Sequence, residues 1–231
     1  SELRNVEVCH LHTEGDAPYA NPELAESFHV NSFFIGANVR HTLKAGNGSY
    51  TPVFLSELPL LFRKNVVKLD VAFIHVSPPD SHGYCSLGVS VEASVAAIEN
   101  AKIVIAQVNP QMPRTFGDGI LHVSEIDYLV EVNLPIYAHA VTPFTAEEEK
   151  IGTYVASLIE DKSTLQMGIG SIPNAALSKL TNHKDLGLHT EMFSDGVIDL
   201  IESDVINCNY KGTLRGRALA TFLMGSKRLY D

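Results

Sequence analysis

The chain has 231 residues, of which 45% are hydrophobic and 19% are charged, and its formal net charge is −10. No run approaches the roughly 18 consecutive apolar residues that a membrane-spanning helix needs, so we expect no membrane partner. The acidic balance argues against general nucleic-acid binding, which requires a basic face.

Short apolar runs rich in β-branched and aromatic residues recur along the first 140 positions and predict strands. They alternate with stretches of helical composition. The predicted strands are 6–12, 31–36, 71–77, 102–108 and 134–140, and the predicted helices are 21–28, 54–64 and 91–101. This alternation is typical of an α/β fold whose sheets are mainly parallel and covered on both faces.

A strong helix start follows near residue 145. Thr145 is a good N-cap, Glu148 completes a capping box three residues later, and three acidic residues fall in the first turn. The helix is predicted to run to about Ile159, with a strand at 163–167. We place a domain boundary at Pro143, which gives an N-terminal domain of residues 1–143 and a second domain of residues 144–231.

The cysteines and the basic residues carry weaker signals. Cys9, Cys85 and Cys208 are odd in number and widely spaced, which favours a reducing compartment and no zinc site. Residues 1–8 lack the apolar core of a signal peptide. Near the end, five basic residues occur within eighteen positions that hold no acid, which is either a local anion patch or a solvated face. They are Lys211, Arg215, Arg217, Lys227 and Arg228.

A glycine turn, 168–174, lies between the predicted strand TLQM and the helical run NAALSKL. Such a turn lets backbone N–H groups face an anion, although a purely structural turn is about as plausible. The pattern is not a P-loop, and it lacks the third glycine of a dinucleotide fingerprint.

About twenty residues later, a short strand runs into the polar segment His189-Thr190-Glu191-Met192. Glu191 stands where a strand that enters a core normally carries an apolar residue. Parallel strands bind ligands at their carboxyl ends, so Glu191 and the glycine turn are predicted to line one crevice as neighbouring strand ends. A helix cap or a surface acid is the alternative interpretation.

Several long motifs together make the chain similar to a known family. The segments GIGSIPNAAL, DLGLHTEMFSDGVIDLIE, HVSPPDSHGYCSLGVSVEAS, IAQVNPQMPRTFGDGILHVSEIDYLVEV and YTPVFLSELPLLF resemble acetyl-CoA hydrolase/transferases. The subgroup they resemble most is the 4-hydroxybutyrate or butyrate/acetate CoA-transferases. The resemblance extends over essentially the whole chain. It implies two similarly folded α/β domains, with family members that begin earlier and continue past Asp231.

The resemblance also implies roles for particular residues. Glu191 takes the place of the glutamate that attacks the acyl-CoA thioester. The glycine turn takes the place of the coenzyme A contact, and the loop that follows residue 106 lies near the active site of such enzymes. The implied coenzyme A residues are Gly168, Ile169, Gly170, Ser171 and Ile172, and the loop residues are Gln107, Asn109, Met112, Pro113 and Arg114.

These roles predict a CoA-transferase that moves coenzyme A between an acyl-CoA and a short-chain carboxylate through a thioester on Glu191. Coenzyme A is then a substrate, with no permanently bound cofactor and no metal, and the protein is expected to be a cytoplasmic homo-oligomer. An acyl-CoA hydrolase that uses the same glutamate, an inactive CoA-binding fragment and a sugar-phosphate isomerase are the alternatives.

Other clusters of reactive residues are weaker candidates. Cys9, His10, His12 and Glu14 invite a metal interpretation, and His75, His82 and Cys85 a cysteine nucleophile. Ser194-Asp195-Gly196 lacks the Gly-x-Ser-x-Gly elbow of a serine hydrolase. We interpret Asp195, Asp199, Glu202 and Asp204 mainly as the solvated face of a helix.

Overall fold

The computed structural model describes residues 2–140 and 142–231 and divides them into two compact units. The first unit comprises the described residues up to Asp70 together with Ala96–Lys102, and the second comprises Val71–Val95 and the described residues from Ile103 to Asp231. These units are defined by compactness and divide the chain elsewhere than at Pro143. The domain boundary at Pro143 therefore stays a prediction.

The first unit is built on a three-stranded parallel sheet with the order β1-β2-β3. A small core of alanines and valines, with Tyr19 against it, includes the fully buried Val30 of the central strand. The elements of the unit are β1 (Val6–His10), β2 (Phe28–Ser32), α1 (His41–Ala45), β3 (Gly48–Tyr50) and α2 (Leu58–Arg63). The helix α3 (Ser94–Asn100) begins in the second unit and ends in the first.

The second unit contains the remaining helices and strands. In chain order they are β4 (Val71–Val76), β5 (Tyr84–Ser86), β6 (Ile103–Val108), β7 (Ile120–His122), β8 (Tyr128–Glu131), α4 (Ala146–Ala156), β9 (Thr164–Leu165), α5 (Ser171–Leu177), β10 (Gly187–Leu188), β11 (Met192–Phe193), α6 (Ile198–Glu202), β12 (Phe222–Leu223) and α7 (Lys227–Tyr230). The strands β4, β6 and β8 form a parallel sheet in the order β4-β6-β8, whereas β5 and β7 pair antiparallel.

The fold class is therefore α/β with mainly parallel sheets, as the sequence predicts. Cover on both faces is wrong for the β4-β6-β8 sheet, because Phe73 is 80% exposed and Tyr128, which aligns in the same row of the sheet, is 61% exposed. The other face of this sheet is buried through Ala72, Val104 and Ala106.

Two predicted strands and one predicted helix are wrong. The strand predicted at 31–36 lies at Phe28–Ser32, where the buried polar Asn31 donates a hydrogen bond to Glu7. Residues 134–140 form no strand; Pro135 lacks an N–H for a sheet, and the carbonyl of Leu134 instead accepts from the Asn109 side chain. The predicted helix at 21–28 is only a turn of 3₁₀ helix, Pro22–Leu24.

The helix start near residue 145 is confirmed. Thr145 Oγ1 accepts from the N–H of Glu148, and the Glu148 carboxylate accepts from the N–H of Thr145. This capping box opens α4, which packs closely on α5, because a Cβ at Gly152 would lie 2.7 Å from the backbone of Ala175. The two helices rest on an apolar core that includes Met167, Leu177, Leu188 and Val197.

Candidate active site

The glycine turn and Glu191 leave the same edge of a parallel strand pair. Leu165 of β9 aligns with Leu188 of β10, and the N–H of His189 donates to the carbonyl of Leu165 at 3.0 Å. The chain leaves β9 into the turn and leaves β10 into Glu191. The two segments are therefore neighbouring strand ends, as the sequence predicts, and their catalytic roles stay predictions.

Glu191 is exposed, although the residues on either side of it are buried. Its backbone carbonyl accepts from the N–H groups of Thr221 and Phe222 and from the Thr221 hydroxyl. Its carboxylate makes no hydrogen bond or ion pair with any residue in 2–140 or 142–231. The backbone is thus held in place while the carboxylate is free to meet a ligand.

The backbone of the glycine turn is also open. Among the described residues, no acceptor pairs with the N–H groups of Gly168, Ile169 or Gly170. Gly170 has φ +126° and ψ 179°, a conformation that is essentially restricted to glycine, and a Cβ there would meet no atom within 4 Å. The turn therefore presents unpaired donors at a position that no other part of the described chain fills.

Ser171 and Ile172 differ from the rest of the turn. The Ser171 hydroxyl donates a short hydrogen bond to Glu148, and this bond, with that from the Thr145 N–H, holds the pKa of the Glu148 carboxyl below its usual value. Ile172 is exposed and borders an apolar recess of about 230 Å³ with Met167 and Gly168. Ser171 therefore has a structural partner already, whereas Ile172 is accessible to a ligand.

Three other polar residues around Glu191 are bonded to the protein. Thr190 accepts from the N–H of Met167, Ser194 donates to the Asn174 side chain, and Asp195 accepts from the N–H and hydroxyl of Ser226. The interpretation of Asp195 as part of a solvated helix face is therefore wrong. Ser194 is 3% exposed, which argues against it as a nucleophile.

Sequence reasoning gave no role to His189. It is exposed, as Glu191 is, whereas Leu188, Thr190 and Met192 are buried. The signal was present in the motif: polar residues at alternate positions of a strand mark a face that does not enter the core.

The loop at 107–115 is bonded mainly to its own unit. Asn109 is fully buried and donates to the Leu134 carbonyl, and Arg114 donates to Asp80 and to the Tyr84 carbonyl. Met112 is buried against Gly88, and a Cβ added at Gly88 would lie 2.2 Å from the Met112 sulfur. Gln107 is half-buried and Pro113 borders a cavity of about 540 Å³. Their proximity to an active site stays a prediction.

The five basic residues do not form one anion patch. Lys211 is 1% exposed, and its ammonium donates to the carbonyls of Leu188 and Arg217 at 2.8 and 2.7 Å. Lys227 pairs with Asp231, and Arg228 pairs with Asp199 and Glu202. Only Arg215 and Arg217 are exposed without an ion pair to a described residue. Lys211 therefore belongs neither to a local anion patch nor to a solvated face, and both interpretations are wrong for this residue.

The candidate cysteine and metal sites gain no support. Burial raises the pKa of Cys9 to about 12, with the nearby Glu7 adding to the shift, and burial also raises the pKa of Cys85. A thiol held protonated in this way is a poor nucleophile. Within the described ranges, no cluster of three His, Cys, Asp or Glu residues could hold a metal ion. None of the described helices has the length and apolar character needed to span a bilayer.

Comparison with protein families finds one match, to the acetyl-CoA hydrolase/transferase N-terminal domain over residues 1–139. The chain is 46% identical over 230 residues to a succinyl-CoA:acetate/propanoyl-CoA:succinate CoA transferase of Fasciola hepatica, with 99% of this chain and 48% of the relative aligned. It is 47% identical over 227 residues to a 4-hydroxybutyrate coenzyme A transferase of Clostridium kluyveri, with 98% and 53% aligned.

Solved structures give the same result. A 4-hydroxybutyrate CoA-transferase of Porphyromonas gingivalis has a TM-score of 0.85 at 40% identity, covering 100% of this chain and 54% of its own. RipA of Yersinia pestis has a TM-score of 0.92 at 32% identity, covering 97% and 54%. The chain thus spans about half the length of the relatives that it matches.

Proposed function

This chain belongs to the acetyl-CoA hydrolase/transferase family, and on that premise we propose that it moves coenzyme A between an acyl-CoA and a short-chain carboxylate. The observation that carries the proposal is that two neighbouring strands lead into groups without a bonding partner among the described residues. One is the exposed carboxylate of Glu191, and the other is the set of three backbone N–H groups of the glycine turn. Curated relatives named as transferases for 4-hydroxybutyrate, succinate, acetate and butyrate support the substrate class.

A glutamate suits this chemistry because its reference pKa of about 4.3 leaves it ionised at neutral pH, so it needs no partner base. The Glu191 carboxylate oxygen attacks the thioester carbon, the carbon–sulfur bond breaks, and a mixed anhydride and CoA thiolate form. The thiolate then attacks the side-chain carbonyl carbon of Glu191, the bond from that carbon to the anhydride oxygen breaks, and the first acid leaves as its carboxylate. A second carboxylate reverses these steps and leaves as the new acyl-CoA.

The glycine turn supplies the complementary half of the site. Each tetrahedral intermediate carries a negative oxygen, and the N–H groups of Gly168, Ile169 and Gly170 are donors without partners in the described chain. Ile172 would contact an apolar part of the ligand, because its side chain is exposed at the same turn. The Ser171 hydroxyl would serve the turn itself, through Glu148.

An acyl-CoA hydrolase is the second candidate, and the exposure of Glu191 favours it. If water reaches the anhydride or the glutamyl thioester before a carboxylate does, the same residues release the free acid. Comparison of acid release with and without an acceptor carboxylate separates the two activities.

The remaining parts of the proposal have their own support and tests. The match to an N-terminal domain ends at residue 139, and the capping box opens α4 at Thr145, which together support a domain boundary at Pro143. A cytoplasmic location and a homo-oligomer stay predictions, which cell fractionation and light scattering can test.

Borohydride trapping tests the mechanism directly in the natural protein that carries these residues. With acyl-CoA present and the acceptor withheld, the thioester on Glu191 should accumulate and be reduced to an alcohol, with permanent loss of activity. Mass mapping should place the change in the peptide 186–195. Omission of acyl-CoA is the control, because a free carboxylate resists the reagent. Modification at Cys85, or turnover without any modification, would contradict the proposal.

A further inference from the structure

Two buried hydroxyl groups flank Glu191 in sequence, and each is bonded to one end of the glycine turn. Thr190, one residue before Glu191, is 5% exposed, and Ser194, three residues after it, is 3% exposed. Met167 stands immediately before the turn and Asn174 immediately follows Pro173. The strand that carries the carboxylate and the turn are thus joined at two points, one on each side of Glu191.

The first point is the Thr190 hydroxyl. Its oxygen accepts from the N–H of Met167 at 2.9 Å, and its proton is donated to the carbonyl of Met167 at 3.2 Å or of Met192 at 3.1 Å. A hydroxyl both accepts and donates hydrogen bonds. The Thr190 side chain can therefore bond to the backbone of Met167 at the point where β9 and β10 separate.

The second point is the Ser194 hydroxyl, which donates to Asn174 Oδ1 at 2.8 Å. The Asn174 oxygen also lies against Gly196, where a Cβ would approach it to 2.8 Å, so a larger residue there would displace it. The Ser194 bond therefore attaches the first turn of α5, into which the glycine turn leads.

We propose that Thr190 and Ser194 are positioning residues that hold the glycine turn at a set distance from Glu191. This inference rests on the proposed function, because the distance matters only if a ligand on the turn must meet the carboxylate. Hydrogen bonds to Thr221 and Phe222 hold the Glu191 backbone on its other side. Loss of either hydroxyl frees one end of the turn relative to a nucleophile that stays in place.

The test compares rates and affinities in the natural protein that carries these residues. Thr190→Val keeps the shape and removes the hydroxyl, and kcat should fall by about ten- to a hundredfold, because displacements near 1 Å cost that much. The dissociation constant of free coenzyme A should change by less than about threefold, since the turn keeps its own N–H groups. Thr190→Ser should restore kcat.

Thr42 offers a matched control in the other compact unit. It is 1% exposed, and its hydroxyl donates to the Val39 carbonyl at 2.8 Å. Thr42→Val makes the same chemical change in a buried threonine and should lower the melting temperature without lowering kcat. If Thr190→Val behaves like Thr42→Val, or if Thr190→Ser is as slow as Thr190→Val, the proposal is wrong.

Ser194→Ala provides a second, milder variant in case Thr190→Val does not fold. It should lower kcat at unchanged coenzyme A affinity, and the double variant should lose less than the product of the two single losses, because both hydroxyls hold one turn. A full product of the losses, or an unchanged kcat in Ser194→Ala, would overturn the shared role.

Borohydride trapping separates this inference from the proposed function. If the wild-type protein is modified at Glu191 and Thr190→Val is modified at the same rate, the positioning role fails and the mechanism stands. If the wild-type protein turns over without modification at Glu191, both fail, because no nucleophile is then left to position. Slower modification of Thr190→Val, with Thr42→Val unchanged, supports both.

Discussion

Two segments of the second unit carry polar motifs, and they differ in what their polar residues are bonded to. In the segment 107–115, the buried Asn109 donates a hydrogen bond to a backbone carbonyl, and Arg114 forms an ion pair with Asp80. In the strand-end segment 186–196, Thr190 and Ser194 are also bonded within the protein, but Glu191 is exposed and its carboxylate has no partner among the described residues. The strand-end segment thus combines structural hydrogen bonds with a side chain that is free to react.

The difference shows why polar residues in a motif do not by themselves identify a site. A buried polar side chain is usually bonded within the protein, since an unpaired one is costly. Such residues support the fold around a site, whereas chemistry requires a group that the fold has left unpaired at an accessible place. Glu191 meets that condition, and Asn109 and Arg114 do not.

Replacement of Glu191, the proposed nucleophile, should have the largest effect. Glu191→Gln keeps the size of the side chain and removes its charge, and acyl exchange should fall by at least about a thousandfold, as for other nucleophiles. Glu191→Asp should lose about a hundredfold, because the carboxylate retreats by roughly 1 Å. Exposed Glu147 is a control, and Glu147→Gln should retain normal turnover. Near-normal exchange in Glu191→Gln would remove the contrast between the two segments.

Removal of the buried ammonium should be the largest effect on stability. Lys211→Met leaves the carbonyls of Leu188 and Arg217 without their charged donor and should lower the free energy of unfolding by about 2–3 kcal/mol. Lys150→Met, at an exposed position of α4 where the side chain has no bond to a described residue, should change it by less than about 0.5 kcal/mol. Urea denaturation measures both. Equal losses in the free energy of unfolding of the two variants would mean that the stabilising effect of Lys211 does not depend on its burial.

A side chain at Gly170 should have a smaller effect, through backbone conformation. Gly170→Ala forces a Cβ onto φ +126° and should cost about 1–2 kcal/mol in stability, together with weaker coenzyme A binding. Gly212→Ala is the matched control, because neither position has an atom within 4 Å of the new Cβ and Gly212 has no positive φ. Unchanged affinity in Gly170→Ala would make 168–174 a structural turn only.

The smallest effect is expected at the ion pair of the loop. Hydrogen bonds from the backbone N–H groups of Tyr84 and His82, together with Arg114, hold the pKa of Asp80 below its ordinary value of 3.8. A lowered pKa adds stability that is fully present above pH 3.8 and is lost as the pH falls through the folded-state value.

Thermal melts across that range should therefore show the wild-type protein approaching Asp80→Asn as the pH falls. Asp118→Asn, at an exposed position without a hydrogen bond or ion pair to a described residue, is the control for the removal of one charge. If the difference in melting temperature between the wild type and Asp80→Asn widened towards low pH, the pKa of Asp80 would not be lowered in the folded state. Acyl exchange near neutral pH should change by less than about threefold in Asp80→Asn, and a larger loss would give the loop a role in the chemistry.

Local patterns determined much of the fold in advance. The capping box at Thr145 and Glu148 could be predicted because all its atoms lie within four residues, and the strands β1, β4 and β6 because each lies within a short run rich in β-branched and aromatic residues. The family motifs identified Glu191 as a candidate, and strand order predicted its nearness to the glycine turn. These are inferences that need only neighbouring residues or a rule about parallel sheets.

Tertiary structure alone decided which polar groups are bonded and which are free. Lys211 looked like part of a basic surface, yet it reaches the carbonyl of Leu188, 23 residues away. The motif predicts Ser171 as a ligand contact, yet its hydroxyl donates a hydrogen bond to Glu148, which lies on a different helix. The apolar run at 134–140 looked like a strand, yet Asn109 holds it as a loop. Each outcome depends on a partner 23 to 25 residues distant, and hydrogen bonds of that range leave no periodic trace in the sequence.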